Sequence, residues 1–333
     1  MSKTAIIDFF NQDCGLAIIF PEADYFILEE EFDRTQINKK YNINPILHNK
    51  VVNIYDFITD KKYDTIFIIA PLYGSLEKYN NNTNEFFNNK IKIFLFEVIK
   101  IINKNNFKNV CFFDNYDYDY DPNIIIDNNL IKLKKIKFFK RYYNSEKTYN
   151  DNVFPFPYIT FGHQCNIEIL TNLQYSNSHS KIDRIFFSGS LLHHVDVVYG
   201  INRNRREMIN KISGKLNLYN PGHLPHNLFM SEMQCSKYSL DLLGVGDPNT
   251  RTYEIISSGS LRLGERSNLK WTFDDSFCEE TIFDNENDLL EKLIRLETEP
   301  QLYERCLNKQ NEIVRQHMNR DVLRNYILFN LNK

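Results

Sequence analysis

The densest run of residues able to do chemistry lies between Lys237 and Glu265. An apolar stretch, Tyr238–Leu243, ends in a loop holding Gly244, Gly246, Pro248 and Asn249. The loop delivers Thr250, Arg251 and Glu254 to a helical stretch that stops at Gly259, and 260–264 is strand-like again. A helix start reached through a glycine-containing loop gathers unpaired N–H groups and a partial positive charge, which suits a diphosphate. Gly246, Asn249 and Thr250 are the candidate loop and N-cap contacts, and Arg251 adds a bidentate phosphate donor. Glu254 sits three residues on, along the same helical face, where a carboxylate can accept hydrogen bonds from sugar or ribose hydroxyls. The same spacing also fits an ordinary strand–helix–strand unit in which Arg251 and Glu254 form a surface ion pair.

A second constellation lies upstream. The strand-like 184–187 runs into Ser188-Gly189-Ser190, and Arg203, Arg205 and Arg206 follow. Gly189 permits close backbone approach to a ligand, and the flanking serines can donate to phosphate oxygens. Candidate donor contacts here are Gly189, Ser190, Arg203 and Arg206. A plain strand-to-helix turn with a solvated basic face is the alternative.

Carboxylates cluster in the first half. Asp114-Asn-Tyr-Asp117-Tyr-Asp119-Tyr-Asp121-Pro122 directly follows the apolar run 109–113. A calcium loop starting at Asp117 needs Gly where Pro122 stands and Glu where Asn128 stands, so that reading fails. The carboxyl end of a parallel strand is where ligand sites gather, which makes Asp114 and Asp117 candidate general bases. Asp13, in Asn11-Gln-Asp-Cys-Gly15, is a third candidate, with a helix N-cap as its alternative role. His193-His194 and His223-Leu-Pro-His226 lack a third ligand, so no metal site is expected.

These residues need a scaffold of alternating strands and helices. In the first half, 4–10, 65–70 and 109–113 read as strands, and 51–59 and 84–103 as helices. In the second, 184–187, 216–219, 239–243 and 260–264 read as strands. Helices are expected at 204–212, 250–258, 289–296, 301–316 and 321–331. The alternation predicts an α/β protein of two Rossmann-like domains facing across a cleft. The expected boundaries are 1–165, 166–318, and a C-terminal helix, 319–333, packing back toward the first domain.

With 333 residues, net charge −3 and six scattered cysteines without a CxxC, the chain fits a two-domain protein in a reduced, cytoplasmic setting. The charge gives no pull toward nucleic acid, despite the basic-aromatic run 133–143. The N-terminus does not read as a signal peptide, and no window reaches the roughly 20 apolar residues of a membrane helix. Any membrane association is expected to be peripheral.

The segment carried by Lys237, Tyr238, Leu240, Gly244, Arg251, Glu254, Gly259 and Leu263 resembles the donor-site signature of GT-B glycosyltransferases, especially the exostosin-type and CgeB-type branches. Phe154-Pro-Phe-Pro-Tyr158 after a Phe-Lys-Arg stretch is similar to the CgeB-type pattern. The resemblance implies a nucleotide-sugar donor bound through Arg251 at the phosphates and Glu254 at the ribose; a UDP-sugar is taken as the working donor, a choice the residues do not dictate. It also implies a glycan, protein or other hydroxyl acceptor, no cofactor and no metal. Gly246 stands where many retaining members carry a second glutamate, eight positions before Glu254. Three rivals remain: a nucleotide-sugar epimerase, an inactive carbohydrate-binding protein on the same fold, and a GT-A-type enzyme using Asp117–Asp121.

Overall fold

The structure, a computed structural model, describes residues 3–9, 15–27, 51–53, 63–70, 85–105, 107–114, 122, 136–140, 143–156, 181–189, 205–243, 250–268, 277–317 and 319–333. The chain divides into two compact units. One comprises mainly Met1–His163 with Leu323–Lys333, the other Gln164–Asn268 with Phe273–Val322.

The first unit is built on seven parallel strands: β1 (Thr4–Asp8), β2 (Asp24–Ile27), β3 (Val51–Asn53), β4 (Thr65–Ile69), β5 (Asn109–Asp114), β6 (Ile136–Lys140) and β7 (Val153–Pro155). Their order is β3-β2-β1-β4-β5-β6-β7. All five residues of β4 are buried, as continuous apolar runs are when both faces of a parallel sheet are covered. Helix α1 (Gly15–Ile19) follows β1, and the long α2 (Glu85–Lys104) follows β4. Phe94, Val98 and Ile101 of α2 join Ile7, Ile66, Ile68, Val110 and Phe112 in one apolar cluster. Phe113 stacks on Phe139 at 4.8 Å between ring centroids, and Phe156 meets both rings edge-on. Val51–Asn53 is an edge strand rather than the start of a helix. The β-branched pair Val51-Val52 fits a pleated surface better than its short apolar spacing fits a helix.

The C-terminal segment belongs to this unit. Arg324, in α8 (Arg320–Leu331; α3 to α7 are given below), pairs with the Glu22 carboxylate and donates to the Ile19 carbonyl at 3.1 Å. The Tyr326 hydroxyl donates to the Pro155 carbonyl at 2.8 Å. The segment is held by polar bonds as well as by buried Leu323 and Ile327.

The second unit has five parallel strands: β8 (Ile182–Phe186), β9 (Leu218–Tyr219), β10 (Ser236–Asp241), β11 (Leu261–Glu265) and β12 (Ile282–Phe283). Their order is β12-β11-β10-β8-β9. Helices α3 (Arg205–Ser213), α4 (His226–Cys235), α5 (Thr250–Ser258), α6 (Glu286–Thr298) and α7 (Pro300–His317) connect or cover them. The helices expected from the sequence do not include α4. Pro225 occupies its N-cap, where the missing N–H costs nothing. Asn285 caps α6, its side chain accepting from the N–H groups of Asn287 and Asp288. No helix among the described residues is long and apolar enough to cross a membrane.

Candidate functional site

Among the described residues, the carboxyl ends of β8 and β10 carry a connected arrangement of polar groups. Gly189 follows β8, and Arg251 stands in the first turn of α5. The Arg251 guanidinium lies directly over Gly189: a Cβ placed there would sit 2.1 Å from Nη2 and 2.8 Å from Cζ. The glycine leaves the space that the guanidinium fills, and a side chain there would push the arginine's end aside. Arg251 also lies over the Phe187 ring, with Cζ 5.2 Å from its centroid, a cation–π geometry that orients the guanidinium. Two residues picked out from separate stretches of sequence thus meet at one point.

Ser188 and Gly222 brace this turn. The Ser188 hydroxyl donates to the Gly222 carbonyl at 2.5 Å. Gly222 has φ 78°, a left-handed conformation that favours glycine, and its N–H donates to Asn220 Oδ1. Ser188 therefore commits its proton to holding the loop after β9 against the loop after β8.

The helix start is anchored from below by Asp241, the last residue of β10. One oxygen, Oδ2, accepts from Thr252 Oγ1 of α5 at 2.9 Å and from Arg262 Nε of β11 at 2.6 Å. Asp241 and Arg262 are both buried, at 3 % and 6 % exposure. Gly264 gives the Arg262 guanidinium its room, since a Cβ there would lie 2.0 Å from Nη1. Leu242 and Leu243, which enter the loop before α5, are pinned on both sides. The Leu243 N–H donates to Glu265 Oε2 at 3.0 Å, while Arg205 donates to the carbonyls of Leu243 and Leu242 at 2.9 and 3.2 Å.

Asp241, Arg262 and Glu265 were not singled out in the sequence. The available signal was charge at the end of an apolar strand, where burial requires a partner. Arg205, grouped there with a basic helix, is a buried structural donor. Lys237 bonds Glu297 of α6 at 2.7 Å, and its ammonium lies 5.2 and 5.3 Å from the ring centroids of Tyr238 and Tyr303. It ties β10 to α6 and α7.

Among the other residues picked out from sequence, Thr250 begins α5 and Arg206 is exposed on α3. Glu254 is buried to 7 % exposure, one turn beyond Arg251. Ser190, Arg203, Gly246, Asn249, Asp13 and Asp117 lie outside the described residues. Asp114, in the first unit, ends β5 at 1 % exposure, with its Oδ2 3.2 Å from Nζ of Lys140, which is fully enclosed. The cysteines Cys111, Cys235, Cys278 and Cys306 are free thiols.

Two parallel sheets with helices on this pattern define a GT-B-like α/β fold. Neither a known family model nor a curated protein matches the sequence. Solved structures do match in fold. An alpha-glucosyltransferase in complex with UDP-glucose and DNA containing an abasic site is 12% identical at TM-score 0.52, covering 99% of each chain. An alpha,alpha-trehalose 6-phosphate synthase from Burkholderia multivorans is 10% identical at TM-score 0.51, covering 100% of this chain and 96% of its own. T4 phage BGT in complex with UDP and Mn2+ is 11% identical at TM-score 0.50, covering 99% of this chain and 100% of its own. At such identities the likeness is one of fold.

Proposed function

We propose that the chain is a glycosyltransferase that moves a sugar from a nucleotide-diphosphate donor to a hydroxyl acceptor. A UDP-sugar is the favoured donor. The second unit binds it, with Arg251 and the N–H groups at the start of α5 on the diphosphate and Glu254 on the ribose. Leaving-group charge is neutralised by Arg251 and helix N-terminal amides, so transfer needs no metal. Ser190, Arg203, Arg206, Gly246, Asn249 and Thr250 complete the donor contacts.

The observation that carries this reading is the Arg251 guanidinium seated over Gly189, on a helix start anchored through Asp241. A surface ion pair would need neither a glycine beneath the arginine nor a buried carboxylate beneath the helix. UDP-glucose in the complex of the glucosyltransferase neighbour supports the donor class.

The first unit presents the acceptor. Asp114 is engaged by Lys140 in the sheet interior, so among the candidates Asp13, Asp114 and Asp117 the base role is assigned to Asp13 or Asp117. The specific branch, exostosin-type or CgeB-type, rests on the 237–265 signature.

Product analysis tests the activity. Labelled UDP-sugars incubated with pooled glycan, protein and DNA acceptors should give acceptor-dependent label transfer that persists in a chelator. Conversion of the donor sugar without acceptor would indicate an epimerase. Binding without turnover would indicate a carbohydrate-binding protein, and loss of activity in chelator would reinstate a metal-dependent site.

A further inference from the structure

The segment before β12 and the second turn of α7 bring together side chains that the donor site does not use. Cys278, Glu280 and Cys306 place two sulfurs and a carboxylate oxygen within 4.8 Å of one another. We propose that these residues form a binding site for a soft divalent cation of the zinc class, which clips the 3-10 turn Glu279–Thr281 to α7. The proposal is independent of the glycosyl-transfer reading.

The donor set suits such an ion. Thiolates select zinc over the hard, oxygen-loving cations, and a carboxylate is an ordinary third ligand. Zinc–ligand bonds of about 2.0–2.3 Å put tetrahedral ligand atoms roughly 3.5–3.8 Å apart, so atoms within 4.8 Å of one another need draw in by no more than about 1 Å to close on an ion. Two thiolates and a carboxylate carry one more negative charge than the ion neutralises. Arg305 Nη2, 2.9 Å from Glu280 Oε1, supplies the balancing charge and orients the carboxylate from outside.

The ligands are also held in place. The N–H and Oγ1 of Thr281 both donate to the Cys278 carbonyl, at 3.0 and 2.8 Å. Cys306 is fixed in α7 at 2 % exposure, and partly exposed Glu280 leaves an entry path. One turn beyond Cys306, Gln310 accepts from the Arg262 N–H at 2.9 Å and donates to the Ser260 carbonyl at 2.8 Å. A cation at Cys306 therefore steadies the helix that holds the edge of β11.

Burial, with Cys278 and Glu280 adding to it, pushes the Cys306 thiol up to about 12. Both thiols must lose protons on coordination, so affinity falls as pH falls.

The test is a Co2+ titration of the full chain, reduced and stripped by chelator. One equivalent should bind with a sulfur-to-cobalt charge-transfer band, be displaced by Zn2+, and raise Tm. Cys278→Ser and Cys306→Ser should abolish the band. Glu280→Gln, at a partly exposed position that leaves the fold intact, should weaken binding about tenfold, and Cys235→Ser should change nothing. Absence of the band, or its survival in both serine variants, would overturn the proposal. So would a Cys278–Cys306 disulfide found by mass spectrometry in the isolated protein, which would assign the pair as a crosslink.

Discussion

Asp114 and Asp241 occupy equivalent places in the two sheets: each is the last residue of an inner parallel strand, and each is buried. Asp114 faces Lys140, its register partner on the neighbouring strand. That interaction closes the sheet on itself. Asp241 reaches sideways to Arg262 on β11 and upward to Thr252 on α5. The same residue type in the same topological place thus stiffens a strand end in one unit and positions a helix start in the other. What differs is reach: the bond from Thr252 carries Asp241 beyond its own sheet to the helix that follows.

The largest effects should come from breaking the two buried pairs. Asp114→Ala and Asp241→Ala each take a carboxylate away from a buried cation, and each should cost about 3–5 kcal/mol in denaturant unfolding. Measured where both variants remain folded, they should part company: Asp241→Ala loses nucleotide-sugar binding, whereas Asp114→Ala retains it. Loss of binding in both would erase the distinction.

Arg251→Ala comes next. It should leave unfolding within about 1 kcal/mol of the parent and weaken nucleotide-sugar affinity by about 1.5–3 kcal/mol, the value of hydrogen bonds to a charged group. Gly189→Ala should weaken affinity less, because the added methyl pushes aside the flexible end of Arg251 rather than removing it. The pair should be non-additive by isothermal titration: in an Arg251→Ala background, Gly189→Ala loses most of its effect. Additive losses would show that the two residues do not act at one point.

The smallest expected effect concerns the Lys237 brace. Burial raises the Glu297 carboxyl, but hydrogen bonds from Lys237 and Tyr238 and the Lys237 charge together outweigh it, so the group sits below its ordinary value. A depressed carboxylate contributes stability that is present above its unfolded pKa and lost as pH falls through the folded one. Glu297→Gln should therefore cost about 0.2–1 kcal/mol at neutral pH and nothing in acid, read from urea midpoints across pH.

The sequence made the alternation visible because buried parallel strands such as Thr65–Ile69 and Asn109–Asp114 are unbroken apolar runs. It also made Gly189 and Arg251 visible, since a glycine turn after one strand and an arginine at a helix start after another are local patterns that spacing records. The short strands β2 and β12 escaped because two to four residues carry too little periodicity. Asp241, Arg262 and Glu265 escaped for a different reason. Their roles depend on pairings across strands that sequence spacing does not encode, since 21 positions separate Asp241 from Arg262. The cysteine–glutamate cluster was hidden likewise, its thiols lying on different elements rather than in a CxxC.

Whether Arg251, seated over Gly189, binds the diphosphate of a nucleotide sugar is read most directly by thermal and denaturant unfolding of the parent and Arg251→Ala chains against UDP-, GDP-, ADP-, CMP- and dTDP-sugars. One nucleotide class, with UDP favoured, should stabilise the parent by roughly 2.7 kcal/mol at about 100 times its Kd, and Arg251→Ala should abolish the gain at the same concentration. Stabilisation by no nucleotide sugar, or equal stabilisation of both chains, would contradict that role for Arg251.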